Sequence, residues 1–342
     1  VNSDFKTGVL IVNLGTPDSP SVPDVRKYLR EFLMDGRVID IPYLSRWMLI
    51  NLIIAPFRAP KSAKIYRELW TPEGSPLKIY GLANERQLQD LLGQDYVVKL
   101  AMRYQSPSIA SKLEEFRKSG IKNLVVIPLF PQYASASTGS VYEEVMRVTG
   151  QWQVIPEIRF ANYFYNHPRF IEGFAANARK HMAESEFDHF VFSYHGLPAR
   201  QILKGDDQGN VCKLGSCCDK ITPHNQFCYR AQCFETTRLL VKALGLKEGT
   251  YTTSFQSRLG KDPWIQPYTD VLIKELGEKG VKKVLAFSPA FISDCLETTI
   301  EVGVEYKEMF EEHGGQQWQL VESLNDSENW VELLKELVVN PA

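Results

Sequence analysis

Strand-like apolar runs alternate with helix-period segments along most of this chain, and no other feature limits the possible folds so strongly. Residues 8–13 (Gly-Val-Leu-Ile-Val-Asn) read as a strand stopped by Gly15 and Pro17. Ser21 and Pro23 then open a helix over 24–32. A strand over 96–102, a helix over 107–119 and a fully apolar strand over 123–130 follow. The second half repeats the style, with strands at 189–194, 250–255 and 283–288 and helices at 229–244, 266–278 and 294–313. Parallel neighbours need a long crossover, usually a helix, and an unbroken apolar strand is covered on both faces. The expected class is therefore α/β, with parallel sheets flanked by helices.

The two halves also match each other. Asn13-Leu14-Gly15-Thr16-Pro17 matches Tyr194-His195-Gly196-Leu197-Pro198 in its glycine and proline. Arg103-Tyr104-Gln105-Ser106 matches Ser254-Phe255-Gln256-Ser257, and residues 120–125 match 280–285. The three pairs occur in the same order, which points to an internal duplication. The expected lobes are 1–160 and 161–325, with 326–342 a C-terminal helix packing back on the first lobe. A length of 342 residues suits two lobes at about 150 residues per domain. Ligands of open α/β sheets bind beyond the carboxyl ends of the strands, so function is expected there.

Composition removes several classes. The chain has 39 Lys and Arg against 41 Asp and Glu, a net charge of -2. A nucleic-acid partner is not expected, since such proteins carry a basic excess. No apolar run reaches the ~18–20 residues of a membrane span. Residues 1–8 show no basic stretch leading into an apolar one, so no secretory leader is expected and the protein reads as cytoplasmic. G-x-G-x-x-G, P-loop, G-x-S-x-G and H-E-x-x-H motifs do not occur, which weakens dehydrogenase, NTPase, α/β-hydrolase and zinc-protease readings.

Two strand ends carry groups with chemistry. His195 follows the strand 189–194 and precedes Gly196 and Pro198. An imidazole takes a proton near neutral pH or binds a borderline metal. After the strand 283–288, Asp294 reads as a helix N-cap with Glu297 completing a capping box. Glu297, Glu301 and Glu305 recur at spacing four, on one helix face. They form either a solvated acidic face or a route for protons or a divalent cation.

Taken together, several segments resemble the ferrochelatase family. They are Ser193-Tyr194-His195-Gly196-Leu197-Pro198, Phe255-Gln256-Ser257-Arg258, Trp264 with Pro267-Tyr268-Thr269-Asp270, and Ser288-Pro289-Ala290-Phe291 with Asp294-Cys295-Leu296-Glu297-Thr298. In the first half they are Asn13-Leu14-Gly15, Tyr66 before Gly74-Ser75-Pro76, Arg103-Tyr104, and Pro131-Gln132-Tyr133 leading to Ser137-Thr138-Gly139. The resemblance covers nearly the whole chain in order. It implies two Rossmann-like lobes with a porphyrin cleft, and insertion of Fe²⁺ into a porphyrin in haem synthesis. It implies His195 and Glu297 as the essential pair, serving as catalysts and as ligands to the substrate metal; beside that pair, the spacing makes Glu301 and Glu305 the candidate path for protons or metal. It implies a porphyrin wall of Leu14, Phe130, Trp264 and Phe291, with Tyr66, Arg103 and Tyr104 as further pocket residues. The Asp294-Cys295-Leu296-Glu297 form resembles members that use protoporphyrin IX. Members acting on coproporphyrin usually carry His at the Cys295 position. Coproporphyrin, another tetrapyrrole chelation, and a non-catalytic two-lobed tetrapyrrole- or metal-binding protein are the competing readings. In the family, the region of residues 47–57 (Trp47 to Phe57) forms the lip of the porphyrin mouth. Here it is either a buried helix or a site of peripheral membrane contact. Oligomeric state is left open.

Five of the six cysteines lie in one insertion, residues 205–233: Cys212, Cys217, Cys218, Cys228 and Cys233. Free thiols, disulfides and a metal site compete as explanations, and so many thiols on a polar loop favour metal. Four thiolates, or three with His224, suit zinc, while four thiolates suit a [2Fe–2S] cluster. Some bacterial members of the family carry such a cluster on an internal cysteine segment, which favours the cluster over zinc. Cys233 is the weakest of the five candidates, because cluster-free relatives have a cysteine there too.

Overall fold

Each half of the chain builds its own four-stranded parallel sheet. The computed structural model describes residues 6–258, 260 and 262–340, so residues 1–5 and 341–342 of the first and last expected segments lie outside it. The first sheet contains β1 (Thr7–Gly15), β2 (Tyr96–Tyr104), β3 (Asn123–Pro128) and β4 (Glu157–Phe160), in the order β2-β1-β3-β4. The second contains β5 (His189–His195), β6 (Tyr251–Gln256), β7 (Lys283–Phe287) and β8 (Gln317–Leu320), in the order β6-β5-β7-β8. All pairings are parallel. The α/β class follows from this, and the two sheets share one topology.

The chain divides into two units. Unit 1 comprises Val1–Phe130, Ser135–Asn162 and Asp326–Ala342; unit 2 comprises Pro131–Ala134 and Tyr163–Asn325. Unit 1 packs Leu10, Val12, Leu113, Phe116, Val126 and Val141 into one core. Unit 2 packs Val191, Ile273, Val284, Phe310 and Trp318. Each such side chain stabilises its unit by about 1.5–3 kcal/mol through burial. The terminal helix Glu328–Val339 packs on the helix Pro76–Leu92, both in unit 1. Arg159 also donates to the carbonyls of Leu337 (2.9 Å) and Val338 (2.5 Å) at the end of that terminal helix.

Several expectations need correction. The helices expected from 107 and 266 begin at Ile109 and Thr269. The residues before them extend the sheets instead: the Met102 N–H donates to the Pro107 carbonyl (2.6 Å) and the Phe255 N–H to the Pro267 carbonyl (2.8 Å). Pairing also shifts one repeat match. Asn13 pairs with Met102 and Tyr194 with Phe255, so Arg103 is equivalent to Gln256 rather than to Ser254. The single helix expected over 294–313 is two segments. Leu296–Glu305 has wide i→i+5 turns, and Tyr306–Glu312 is an ordinary α-helix. Wide turns are rare and concentrate at functional sites. The N-cap is Cys295, not Asp294: Thr298 Oγ1 accepts from the Cys295 N–H (2.9 Å). The Asp294 carboxylate is occupied elsewhere, accepting from Asn325 Nδ2 (2.7 Å) and the Ser323 N–H (3.2 Å).

Residues 47–57 are helical, with Ile50 and Ala55 buried and one apolar side left exposed. Leu52, Ile53 and Phe57 keep 58%, 56% and 74% of their surface exposed, and Tyr43, Leu44, Trp47 and Met48 extend the same apolar patch. Among the described residues no helix is long and apolar enough to cross a membrane.

Candidate active site

In unit 2, His195 occupies the last position of β5 and pairs in register with Gln256 at the end of β6. Its Nδ1 lies 2.7 Å from the Gly196 carbonyl. A carbonyl only accepts, so Nδ1 is the donor, and the lone pair of a neutral imidazole here is on Nε2. That is the tautomer needed in a base or a metal ligand. The Phe291 ring stands edge-on to the imidazole, with centroids 6.4 Å apart. A side chain at Gly196 would put its Cβ 2.6 Å from the Gln256 carbonyl oxygen and 3.1 Å from Trp264 Cε3. Only glycine fits, and Trp264 is thereby placed beside the His195 turn. The Ile265 N–H donating to the Leu197 carbonyl (3.0 Å) holds it there.

Glu297 sits in the first turn of the wide helix and is half-buried; Glu301, farther along, is half-buried, and Glu305 is exposed. The acidic series thus runs from shelter to solvent. Gln256 ties this helix to the His195 strand. Its Nε2 donates to the Glu297 carbonyl (3.1 Å) and to Glu301 Oε2 (3.1 Å), while its Oε1 accepts from Ser193 (2.7 Å). Glu301 also accepts from Ser257 Oγ (2.5 Å) and Tyr306 Oη (3.0 Å). Burial, then the Glu301 charge, raises the Tyr306 phenol, so it stays a donor. Burial and the neighbouring Glu297 charge likewise push the Cys295 thiol up and keep it protonated. Gln256 was in a quoted motif, but nothing in the sequence signalled that its side chain joins two elements.

In unit 1, Leu14 is half-buried at the next-to-last position of β1, and Phe130 packs at the margin of the core. Tyr66 stands edge-on to Tyr28, with ring centroids 6.2 Å apart. Tyr104 and Arg103 are both committed to bonds within unit 1. Tyr104 has no exposed surface, and its hydroxyl donates to Asp35 (2.9 Å). Arg103 donates to Asp35 (2.8 Å) and to Ser140 Oγ (2.7 Å), so a carboxylate of this chain already answers its charge. Burial works against the ionised Asp35. Bonds from Ser140 and the Arg37 N–H, with the Arg103 charge, outweigh it and hold the carboxyl below its ordinary range. Asp35 was not legible in the sequence, because it belongs to no motif or periodic face.

The sequence model of one family, described as Ferrochelatase, matches residues 6–342. Among curated relatives, "Ferrochelatase" of Coxiella burnetii (strain Dugway 5J108-111) is 43% identical over 98% of this chain and 94% of its own length. "Ferrochelatase" of Legionella pneumophila (strain Lens) is 43% identical over 98% of this chain and 99% of its own. The chain belongs to the ferrochelatase family. Ferrochelatases are enzymes of haem biosynthesis with ferrous iron as metal substrate, and the strand-end constellation above is where this ferrochelatase-family chain carries its candidate catalytic groups. Among solved structures, SirB from Bacillus subtilis, crystallised with Fe³⁺, aligns over 98% of this chain and 97% of its own, with a TM-score of 0.51 and 13% identity. That likeness concerns the fold.

The cysteine insertion of this ferrochelatase-family chain folds around Asp206, whose carboxylate accepts from the N–H groups of Cys212 (2.7 Å) and Val211 (2.8 Å). No cysteine is in a disulfide. Cys217 Sγ and Cys218 Sγ lie 3.9 Å apart. A hydrogen bond from the Cys218 thiol to Cys228 lowers the Cys228 thiol and, ahead of burial, raises that of Cys218. Burial raises Cys212, and so does its neighbour Cys217. Cys233 is apart from these, fully buried within the helix Tyr229–Leu244 and bonded to Tyr229. His224 Nδ1 accepts from Gln208 Nε2 (3.0 Å), which occupies that ring nitrogen. Among the described residues no group of three or more His, Cys, Asp or Glu stands ready to hold a metal ion; the thiols stand as neighbouring pairs.

Proposed function

We propose that this chain inserts Fe²⁺ into protoporphyrin IX, with His195 and Glu297 as the catalytic pair. The observation that carries the reading is the bond from His195 Nδ1 to the Gly196 carbonyl, which leaves Nε2 as the reactive ring nitrogen, beside Gln256, whose side chain bonds to the turn of Glu297. Insertion replaces two pyrrole N–H protons by one Fe²⁺. In this reading Nε2 accepts a proton or binds the incoming iron, and Glu297 completes the metal site or passes the proton on. Glu301 and Glu305 lead it toward solvent. Trp264 and Phe291 in unit 2, and in unit 1 Leu14 and Phe130 as apolar residues and Tyr66 as a pocket residue, are each proposed as porphyrin contacts; rigid apolar contacts favour the bent macrocycle that exposes a nitrogen lone pair. Anaerobic mixing with Fe²⁺ and protoporphyrin should quench porphyrin fluorescence, and coproporphyrin should serve less well. His195→Ala and Glu297→Gln should each abolish quenching by insertion while porphyrin still binds. Sustained turnover in either variant removes that residue from the mechanism.

Cys212, Cys217, Cys218 and Cys228 are proposed to hold a [2Fe–2S] cluster, with zinc as the competing occupant. Their chemistry fits: four cysteine sulfurs adjoin in neighbouring pairs, the donor type that either occupant takes. A cluster there would supply a structural or redox-sensing centre. Protein purified anaerobically should contain iron and absorb in the visible; colourless protein containing zinc alone would decide for zinc. The exposed patch of residues 43–57 is proposed as a peripheral contact with lipid.

A further inference from the structure

Tyr229 has no part in the chemistry above, yet it touches both features that set unit 2 apart. It opens the helix Tyr229–Leu244 immediately after Cys228, the helix N-cap. Its ring is buried, and its hydroxyl donates to the His195 carbonyl (2.8 Å). The N–H of the same His195–Gly196 peptide donates to the Gln256 carbonyl (2.8 Å). Both polar atoms of that peptide plane are therefore held, one by Tyr229 and one by β6. The next carbonyl, of Gly196, is the one that fixes the imidazole through Nδ1. The orientation of Nε2 thus depends on a peptide clamped partly by Tyr229. On its other side, Tyr229 directly follows Cys228, the N-cap of its helix and one of the cysteines of the loop. Any rearrangement of Cys228 shifts the first turn of the helix, and with it the phenol.

We propose that Tyr229 is a positioning residue for His195 and transmits the state of the cysteine loop to the imidazole. The inference rests on the catalytic reading of His195. The full chain, labelled with ¹³C-histidine and purified anaerobically, has six histidine ring signals to follow, that of His195 being assigned by its loss in His195→Asn. Tyr229→Phe should move the His195 signal and leave the others in place. It should lower kcat for insertion about three- to tenfold, the worth of one hydrogen bond, with KM for the porphyrin unchanged. Cys228→Ser should move the same signal in the parent but much less in the Tyr229→Phe background. If Cys228→Ser does not fold, alkylation of the loop thiols in the two backgrounds replaces it. An unmoved His195 signal in Tyr229→Phe, or a loop effect equal in both backgrounds, overturns the proposal. A fully active His195→Ala would instead sink the catalytic reading and leave the ring-signal result standing.

Discussion

Placed strand for strand, the two sheets show how one scaffold can carry different chemistry. Leu14, next to last on β1, stands where His195 stands on β5, and Arg103 stands on β2 where Gln256 stands on β6. The shared parts are backbone devices. A Cβ at Gly15 would meet the Tyr104 carbonyl oxygen at 2.1 Å, and one at Gly196 would meet that of Gln256 at 2.6 Å. Gly120 and Gly280 both turn at positive φ, +71° and +88°, before β3 and β7. The Glu157 and Gln317 N–H groups donate to the carbonyls of Lys122 and Lys282, each at 2.9 Å. The differing parts are side chains. Arg103 is bound into a buried ion pair that holds unit 1 together, whereas Gln256 spends its amide on the acidic helix. The β1–β2 connection carries the exposed apolar helix, and the β5–β6 connection carries the cysteine loop. Duplication kept the frame and left strand ends and connections free to diverge.

The largest expected effect lies in unit 1. Asp35→Asn strands Arg103 and removes the acceptor of Tyr104 and Ser140, which should cost about 3 kcal/mol, the low end for breaking a buried pair because Arg103 keeps some solvent contact. The folded Asp35 has a lowered pKa, so its contribution is full above the ordinary value of 3.8 and is lost as pH falls through the folded value. Denaturant unfolding should therefore show the gap between variant and parent at pH 7 and its narrowing below about pH 4; a constant gap would deny Asp35 this role.

A smaller effect, and on turnover, is expected at the equivalent position of unit 2. Gln256→Leu removes the donor shared by the Glu297 carbonyl and Glu301 and should lower kcat about tenfold, the worth of roughly 1.4 kcal/mol. Steady-state kinetics with kcat unaltered would show that the bridge between β6 and the wide helix is not needed for insertion. The smallest effect on the fold belongs to the apolar helix. Phe57→Glu with Ile53→Glu should change stability by less than about 0.5 kcal/mol per site, as exposed positions do, while reducing co-sedimentation with phospholipid vesicles severalfold. Equal sedimentation would exclude this helix as the lipid contact.

The sequence by itself determined the alternation of strands and helices, the duplication, the glycine at each strand end and the placement of His195 and Glu297 after strands. These are legible because they are local: periodicity, turn chemistry and the covering of apolar strands act over a few neighbouring residues. The tertiary structure alone decided that Cys295 rather than Asp294 caps the acidic helix, that its turns are wide, and that Arg103 answers Asp35. It alone showed Gln256 reaching Glu297 and Tyr229 reaching His195. Those bonds join residues far apart in the chain, so they leave no spacing to read. They exist only because the fold brings the helices that carry Glu297 and Tyr229 against the ends of β5 and β6, where a buried amide or phenol must find a partner or lose its hydrogen bond.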